Sequence, residues 1–233
     1  MRQLEEFKDI HKGEEIIVVC NGPGLKNIPF AFLESRTNFV INFFAGWVPF
    51  IQPDYWVVLD PLCFKGAQYV DGTVKFIKTH QAEDFETICI EQFGEFDEEN
   101  TCFYRLMDRI PNFIFTEKGG VRYSTSAIAA SHLAVKMGAS KVLLVGFDCT
   151  YGIGLYQNID DFMGVSRIPH FYDPRHHFTG YSEMWDTHFK DFADWAKIQG
   201  TEVINLSIPT KSKSLNRADY RDFWKPEGAY DGK

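Results

Sequence analysis

The chain lacks the spacings that announce the common metal and hydrolase sites. It holds no CxxC pair, no HExxH, no GxSxG and no DxD. Those absences count against zinc ribbons, zinc proteases, serine hydrolases and metal-dependent sugar transferases. It also lacks an excess of positive charge. The net charge is −8, which argues against nucleic acid as the partner. No apolar stretch is long enough to cross a bilayer. Met1 to Glu6 has no apolar signal core, so the expected location is the cytoplasm. The five cysteines (Cys20, Cys63, Cys89, Cys102 and Cys149) follow no pattern, which fits reduced thiols acting as small core residues.

Apolar and aromatic residues are plentiful. Aromatics make up 16% of the 233 residues, enough to build a core and to exclude disorder for most of the chain. The length suits a single α/β domain over 1–233.

The apolar runs set the expected elements. Glu15 to Cys20 is β-branched without polar alternation, as in a strand buried on both faces. Similar runs lie at Asn38 to Phe44, Tyr55 to Leu59, Lys141 to Phe147 and Glu202 to Leu206, with shorter strands expected at Thr73 to Thr79 and Thr87 to Ile90. Residues 94–123 read as an irregular connection with a short strand at Phe113 to Phe115. Ser124 to Met137 is an alanine-rich helix with Ser124, Thr125 or Ser126 as cap and Gly138 as stop. Ser182 to Ile198 is a second long helix. The alternation of strands and helices predicts a Rossmann-like, doubly wound, mostly parallel sheet with helices on both faces. Residues 150–181 read as a lid-like loop, and 209–233 as a surface tail.

In such sheets the ligand lies beyond the carboxyl ends of the strands. Asn21 to Gly24 after the first run, Asn42 in or just after the second, Asp60 after the third and Asp148 after the run at Val142 are expected to converge there. The turn Asn21-Gly22-Pro23-Gly24 permits close backbone approach, either to a phosphate or simply as a connection. It is not the full dinucleotide fingerprint, because Asn27 stands where the third glycine belongs, and no P-loop occurs. Thr125 and Ser126 open the alanine-rich helix, as an ordinary cap or as an anion site. The loop from Tyr151 to Tyr181 carries His170, His176, His177, Arg167 and Arg175, the types suited to proton transfer and to anions. His176-His177 has no metal-ligand spacing, so no metal is assigned.

Val18 to Ile28 resembles the GNGPSL-K-I opening of the bacterial sialyltransferases of glycosyltransferase family 42. Asn42 and Asp60-Pro61 fall where that family has its second-strand asparagine and its Asn-Pro. Thr125-Ser126-Ala127, the helix, and Met137 to Asp148 are similar to its Thr-Ser-Gly, helix, Leu-Gly, strand, Gly-Ile-Asp segment. His177 to Ser182 resembles its His-Tyr-Ile-Gly-His-Ser. The matches run in order over about residues 15–206. The same blocks also resemble the 6-hydroxymethylpterin pyrophosphokinase-like Rossmann family, through Gly119-Gly120, the helix at Ser126 and the Val-Gly-Phe-Asp strand end.

The first resemblance implies a glycosyltransferase that moves a sugar from a CMP-sialic acid-like donor to an acceptor hydroxyl. Asn21, Gly22, Gly24, Asn42, Asp60, Thr125 and Ser126 would hold the nucleotide, with backbone amides near Gly24 and Ser126 facing phosphate. His177 or Tyr181 would be the base, Tyr181 standing at the family's histidine. No cofactor would be required, and a homo-oligomer is compatible with the aromatic surplus. The alternatives are an ATP-dependent pyrophosphokinase, with Asp60 and Asp148 near Mg2+, and a catalytically degenerate binding protein on the same fold.

Overall fold

Ile16 to Val19 form the middle of the sheet because every side chain there is buried. Alternation then assigns the faces. Ile16 and Val18 pack with two long helices, whereas Ile17 and Val19 pack with Leu25, Ile28, Phe32 and Leu33 on the other side. This is the computed structural model of the chain, and it describes residues 4–42, 51–58, 73–79, 101–105, 125–149 and 183–224.

The described strands are β1 (Glu15–Val19), β2 (Asn38–Ile41), β3 (Tyr55–Val58), β4 (Val74–Thr79), β5 (Thr101–Arg105), β6 (Lys141–Val145), β7 (Glu202–Asn205) and β8 (Asn216–Arg217). They form one sheet in the order β5-β4-β3-β2-β1-β6-β7-β8. Every pairing among them is parallel, with Val19 opposite both Val40 and Val145. Strand order runs outward in both directions from β1. The crevice between the ends of β1 and β6 is therefore the topological switch point of a doubly wound, Rossmann-like α/β sheet.

Both faces are covered. Helices α2 (Ser126–Lys136) and α3 (Glu183–Ile198) lie on one face and touch each other. The short helix α1 (Phe30–Leu33) lies on the other, with Tyr220, Phe223 and Trp224 packed against the same cluster. Residues Ser126 to Val135 of α2 are all buried, and its small side chains allow a close fit between sheet and α3. The Thr125 side chain accepts from the Ile128 N–H at 3.2 Å and starts the helix. Gly138, at φ +92°, ends it: the Gly138 N–H donates to Val135 O and the Ala139 N–H to Ala134 O, a Schellman pair.

Three expectations change. The stretch 94–123, read as irregular, contains β5 at Thr101–Arg105, which pairs with β4. The second strand ends at Ile41, because Asn42 turns out of it at φ +44°. The region after Pro209 is not all surface: Ser212 and Leu215 are buried, and Asn216–Arg217 extend the sheet. The strands expected at Thr87 to Ile90 and Phe113 to Phe115, Gly119-Gly120, and the lid-like 150–181 lie outside the described residues.

One buried carboxylate fixes that last region. Asp186 on α3 is buried; its Oδ1 accepts from Ser212 Oγ at 2.5 Å and Ser214 Oγ at 2.7 Å, and its Oδ2 from the Lys213 N–H at 2.9 Å. Truncating it strands the Ser212 hydroxyl and the Lys213 N–H, while Ser214 Oγ keeps Asp186 O at 2.8 Å. Asp186→Ala is expected to cost about 3 kcal/mol. Urea denaturation checks this: the midpoint should fall at unchanged slope, and a loss below about 1 kcal/mol contradicts the assignment.

Candidate functional site

Of the polar residues expected at the strand ends, Asn21, Asn42 and Asp148 are described, and each lies at the carboxyl edge. Asn21 follows β1, and its Nδ2 donates to Ile41 O at 3.1 Å, tying the end of β1 to the end of β2. The next residue, Asn42, donates through Nδ2 to Ser126 Oγ at 2.6 Å. Its backbone is held on both sides, the N–H donating to Val57 O at 3.0 Å and the carbonyl accepting from Trp56 Nε1 at 2.9 Å. Those contacts stabilise the left-handed backbone, which asparagine tolerates. Asn21, Asn42, Ser126 and the cap Thr125 thus form one contiguous polar series across β1, β2 and the start of α2.

The glycine turn has a different surround. The Gly22 N–H donates to Gly146 O at 2.9 Å, and a Cβ on Gly22 would stand 2.3 Å from that oxygen. A Cβ on Gly146 would in turn stand 2.4 Å from Cys20 O. The loops after β1 and β6 therefore interlock by backbone contact. The Gly24 N–H donates to Asp148 Oδ2 at 2.6 Å. The amide expected to face phosphate faces a carboxylate of this chain instead.

Asp148 is 5% exposed, and among the described residues its Oδ1 has no hydrogen-bond partner. Burial pushes its carboxyl up from 3.8 to about 6, while the Gly24 N–H acts in the opposite direction. Asn21 Oδ1 is likewise buried without a partner. A buried polar atom left unpaired costs about 1–3 kcal/mol, so both are unusual features to retain.

A third loop completes the edge, one that the sequence pattern did not single out. It follows β7. Asn205 Nδ2 and Thr210 Oγ1 both donate to Phe147 O, and the Phe147 N–H donates to Ser207 Oγ at 2.7 Å. The Lys211 N–H donates to Asp148 O at 2.8 Å, and Asn27 Nδ2 donates to Ile208 O at 2.5 Å. The signal available was Asn205 and Ser207 at a strand end, the same signature that marks Asn21 and Asp148.

Cys20 is buried beside Asp148. Burial first and that carboxylate second push its thiol far above the ordinary range, so it serves as a small core residue. His132 on α2 is also buried, its ring tilted against Trp195, and burial holds it neutral by pushing it down to about 3. Asp60, His177 and Tyr181 lie outside the described residues. Among the described residues no group of three His, Cys, Asp or Glu could hold a metal ion. No described helix is long and apolar enough to cross a membrane.

No protein-family model matches the chain, and no curated protein matches it. The functional reading therefore rests on the geometry of this edge and on the residue resemblance.

Two outcomes follow. Gly22→Ala should cost about 3 kcal/mol, because the obstruction is a backbone oxygen that cannot step aside; a urea midpoint close to that of the parent chain contradicts it. Asp148 gives a pH signature. Its folded pKa is raised, so its contribution to stability is full below about pH 4 and is lost as pH rises through about 6. The lost amount is of order 3 kcal/mol. Asp148→Asn removes that titration. Its melting temperature relative to the parent should therefore rise between about pH 4 and about pH 8; parallel melting curves refute the assignment.

Proposed function

We propose that the chain is a glycosyltransferase-like enzyme that binds a nucleotide sugar of the CMP-sialic acid type. The sugar passes to an acceptor hydroxyl. The observation that carries this reading is the 2.6 Å bond from Asn42 Nδ2 to Ser126 Oγ, at the carboxyl end of a doubly wound sheet. It joins two residues that the resemblance assigns to the nucleotide, and it does so beside the first turn of α2. The first-turn amides of a helix have no intrahelical acceptor, and the helix dipole adds partial positive charge there. A phosphate fits that environment. Ser126 accepts from Asn42 through oxygen and retains its own hydrogen for donation to a ligand.

In the transfer step, the acceptor oxygen bonds to the anomeric carbon as the bond from that carbon to the nucleotide phosphate breaks. The electron pair leaves on the phosphate, and the hydroxyl proton passes to His177 or Tyr181. Histidine suits that role at neutral pH, whereas tyrosine requires its pKa, ordinarily about 10, to be lowered. The departing phosphate gains charge, which the α2 amides stabilise. No metal takes part.

A second reading, a binding protein on a degenerate enzyme fold, is favoured by one observation. Asp148 occupies the Gly24 amide that a phosphate would otherwise use. Calorimetric titration of the full chain with CMP, CDP, UDP, their sugars, and ATP with Mg2+ separates the readings. A cytidine nucleotide is expected to bind. Ser126→Ala, and Asn42→Gly, which keeps the left-handed backbone, should each weaken it about tenfold. Binding without sugar transfer supports the degenerate protein. Mg2+-dependent ATP turnover with a pterin supports pyrophosphoryl transfer. If none of these nucleotides binds, the nucleotide reading is overturned.

A further inference from the structure

The switch point is built to accept hydrogen bonds, not to donate them. Asn21 and Asp148 follow neighbouring strands, and each keeps a side-chain oxygen that is buried and without a partner. The two residues are close: the Asp148 carboxyl carbon lies 2.8 Å from where a Cβ on Gly22, the residue after Asn21, would stand. The other half of each side chain is already used. Asn21 Nδ2 holds Ile41 O, and Asp148 Oδ2 holds the Gly24 N–H. These bonds fix both groups, so the unpaired oxygens cannot turn to find partners without breaking them. What they lack is a donor.

An anion cannot supply it. A phosphate beside an ionised Asp148 would meet like charge in a poorly solvated place. A sugar diol can, since each hydroxyl carries one hydrogen to donate. On the α2 side the polarity is reversed, with helix amides and the Ser126 hydroxyl available to an anion. Building on the proposed nucleotide-sugar reading, we infer that Asn21 and Asp148 receive the ribose hydroxyls of the nucleotide, and that its phosphate lies towards Ser126 and the start of α2. Access requires the Pro209–Lys211 segment to shift. Pro209 O lies 3.3 Å from where a Cβ on Gly24 would stand, and Lys211 is tied to Asp148 O by a backbone bond.

The test compares cytidine 5′-monophosphate with its 2′-deoxy and 3′-deoxy analogues by calorimetry on the full chain, so its first arm needs no variant. At least one deoxy analogue should bind about tenfold or more weakly than the ribonucleotide. In Asp148→Asn an amide that can present hydrogens replaces the carboxylate, so the ribose preference should shrink. The preference for cytidine monophosphate over cytidine should persist, because that depends on the α2 side. Equal affinity for the ribonucleotide and both deoxy forms overturns this inference and leaves the nucleotide reading standing. A ribose preference unchanged in Asp148→Asn overturns the role of Asp148. Failure of the folded chain to bind any of these nucleotides overturns both.

Discussion

The contact between the Asp148 carboxylate and the Gly24 amide closes the middle of the sheet edge. Around it, Gly22 and Gly146 approach until no Cβ fits between them, and the loop after β7 closes over the pair through Lys211. Three loops from three adjacent strands are thereby held by one carboxyl group and a few backbone bonds. The ends of β1, β6 and β7 are thus tied to one another, and a ligand reaching the carboxyl group must first displace the Pro209–Lys211 segment. This arrangement places a group with a raised pKa and an unpaired oxygen in the interior, where a purely structural solution would use an apolar residue. Retaining such a group costs stability, which is characteristic of sites shaped for something other than folding.

The edge divides into two halves of opposite character. Around Asn21 and Asp148 the buried groups without partners are acceptors. Around Ser126 the groups that can donate are the hydroxyl, which accepts from Asn42 and keeps its own hydrogen, and the start of a helix. Asn42 stands between the halves, one bond from each: Ile41, its neighbour, accepts from Asn21, and Ser126 accepts from Asn42 itself. A ligand with a neutral, hydroxyl-rich part next to an anionic part matches this division. A simple anion would satisfy only one half.

Much of this was legible in the amino-acid sequence, for physical reasons that also explain what was not. β1, β6 and α2 were plain because each is buried on every side, and full burial writes an uninterrupted apolar or small-residue run. Their ends were marked by polar residues, so Asn21, Asn42, Thr125 and Ser126 could be anticipated and are found together. Thr101–Arg105 was not legible, because five residues of mixed polarity inside an acidic stretch carry no period. The role of the glycine turn was hidden for another reason. Gly24 and Asp148 are 124 residues apart, and no local pattern reports which distant group will fill a turn. The buried course of Ser212 and Leu215 was concealed in the same way, since the polar sequence there is neutralised by Asp186 from another element.

The glycines carry a wider lesson about reading such turns. A glycine-rich turn after a first strand is commonly taken as a cradle for phosphate, on the ground that only glycine lets a ligand come close to the backbone. Here the close approach is made by the chain itself, Gly146 against Gly22 and Asp148 against Gly24. The requirement for glycine is thus met without any ligand. The turn alone is consequently silent about phosphate, and the weight passes to groups whose hydrogen-bonding capacity the fold leaves unspent. At this edge the described groups of that kind include the buried oxygens of Asn21 and Asp148, which call for a hydrogen-bond donor rather than for an anion.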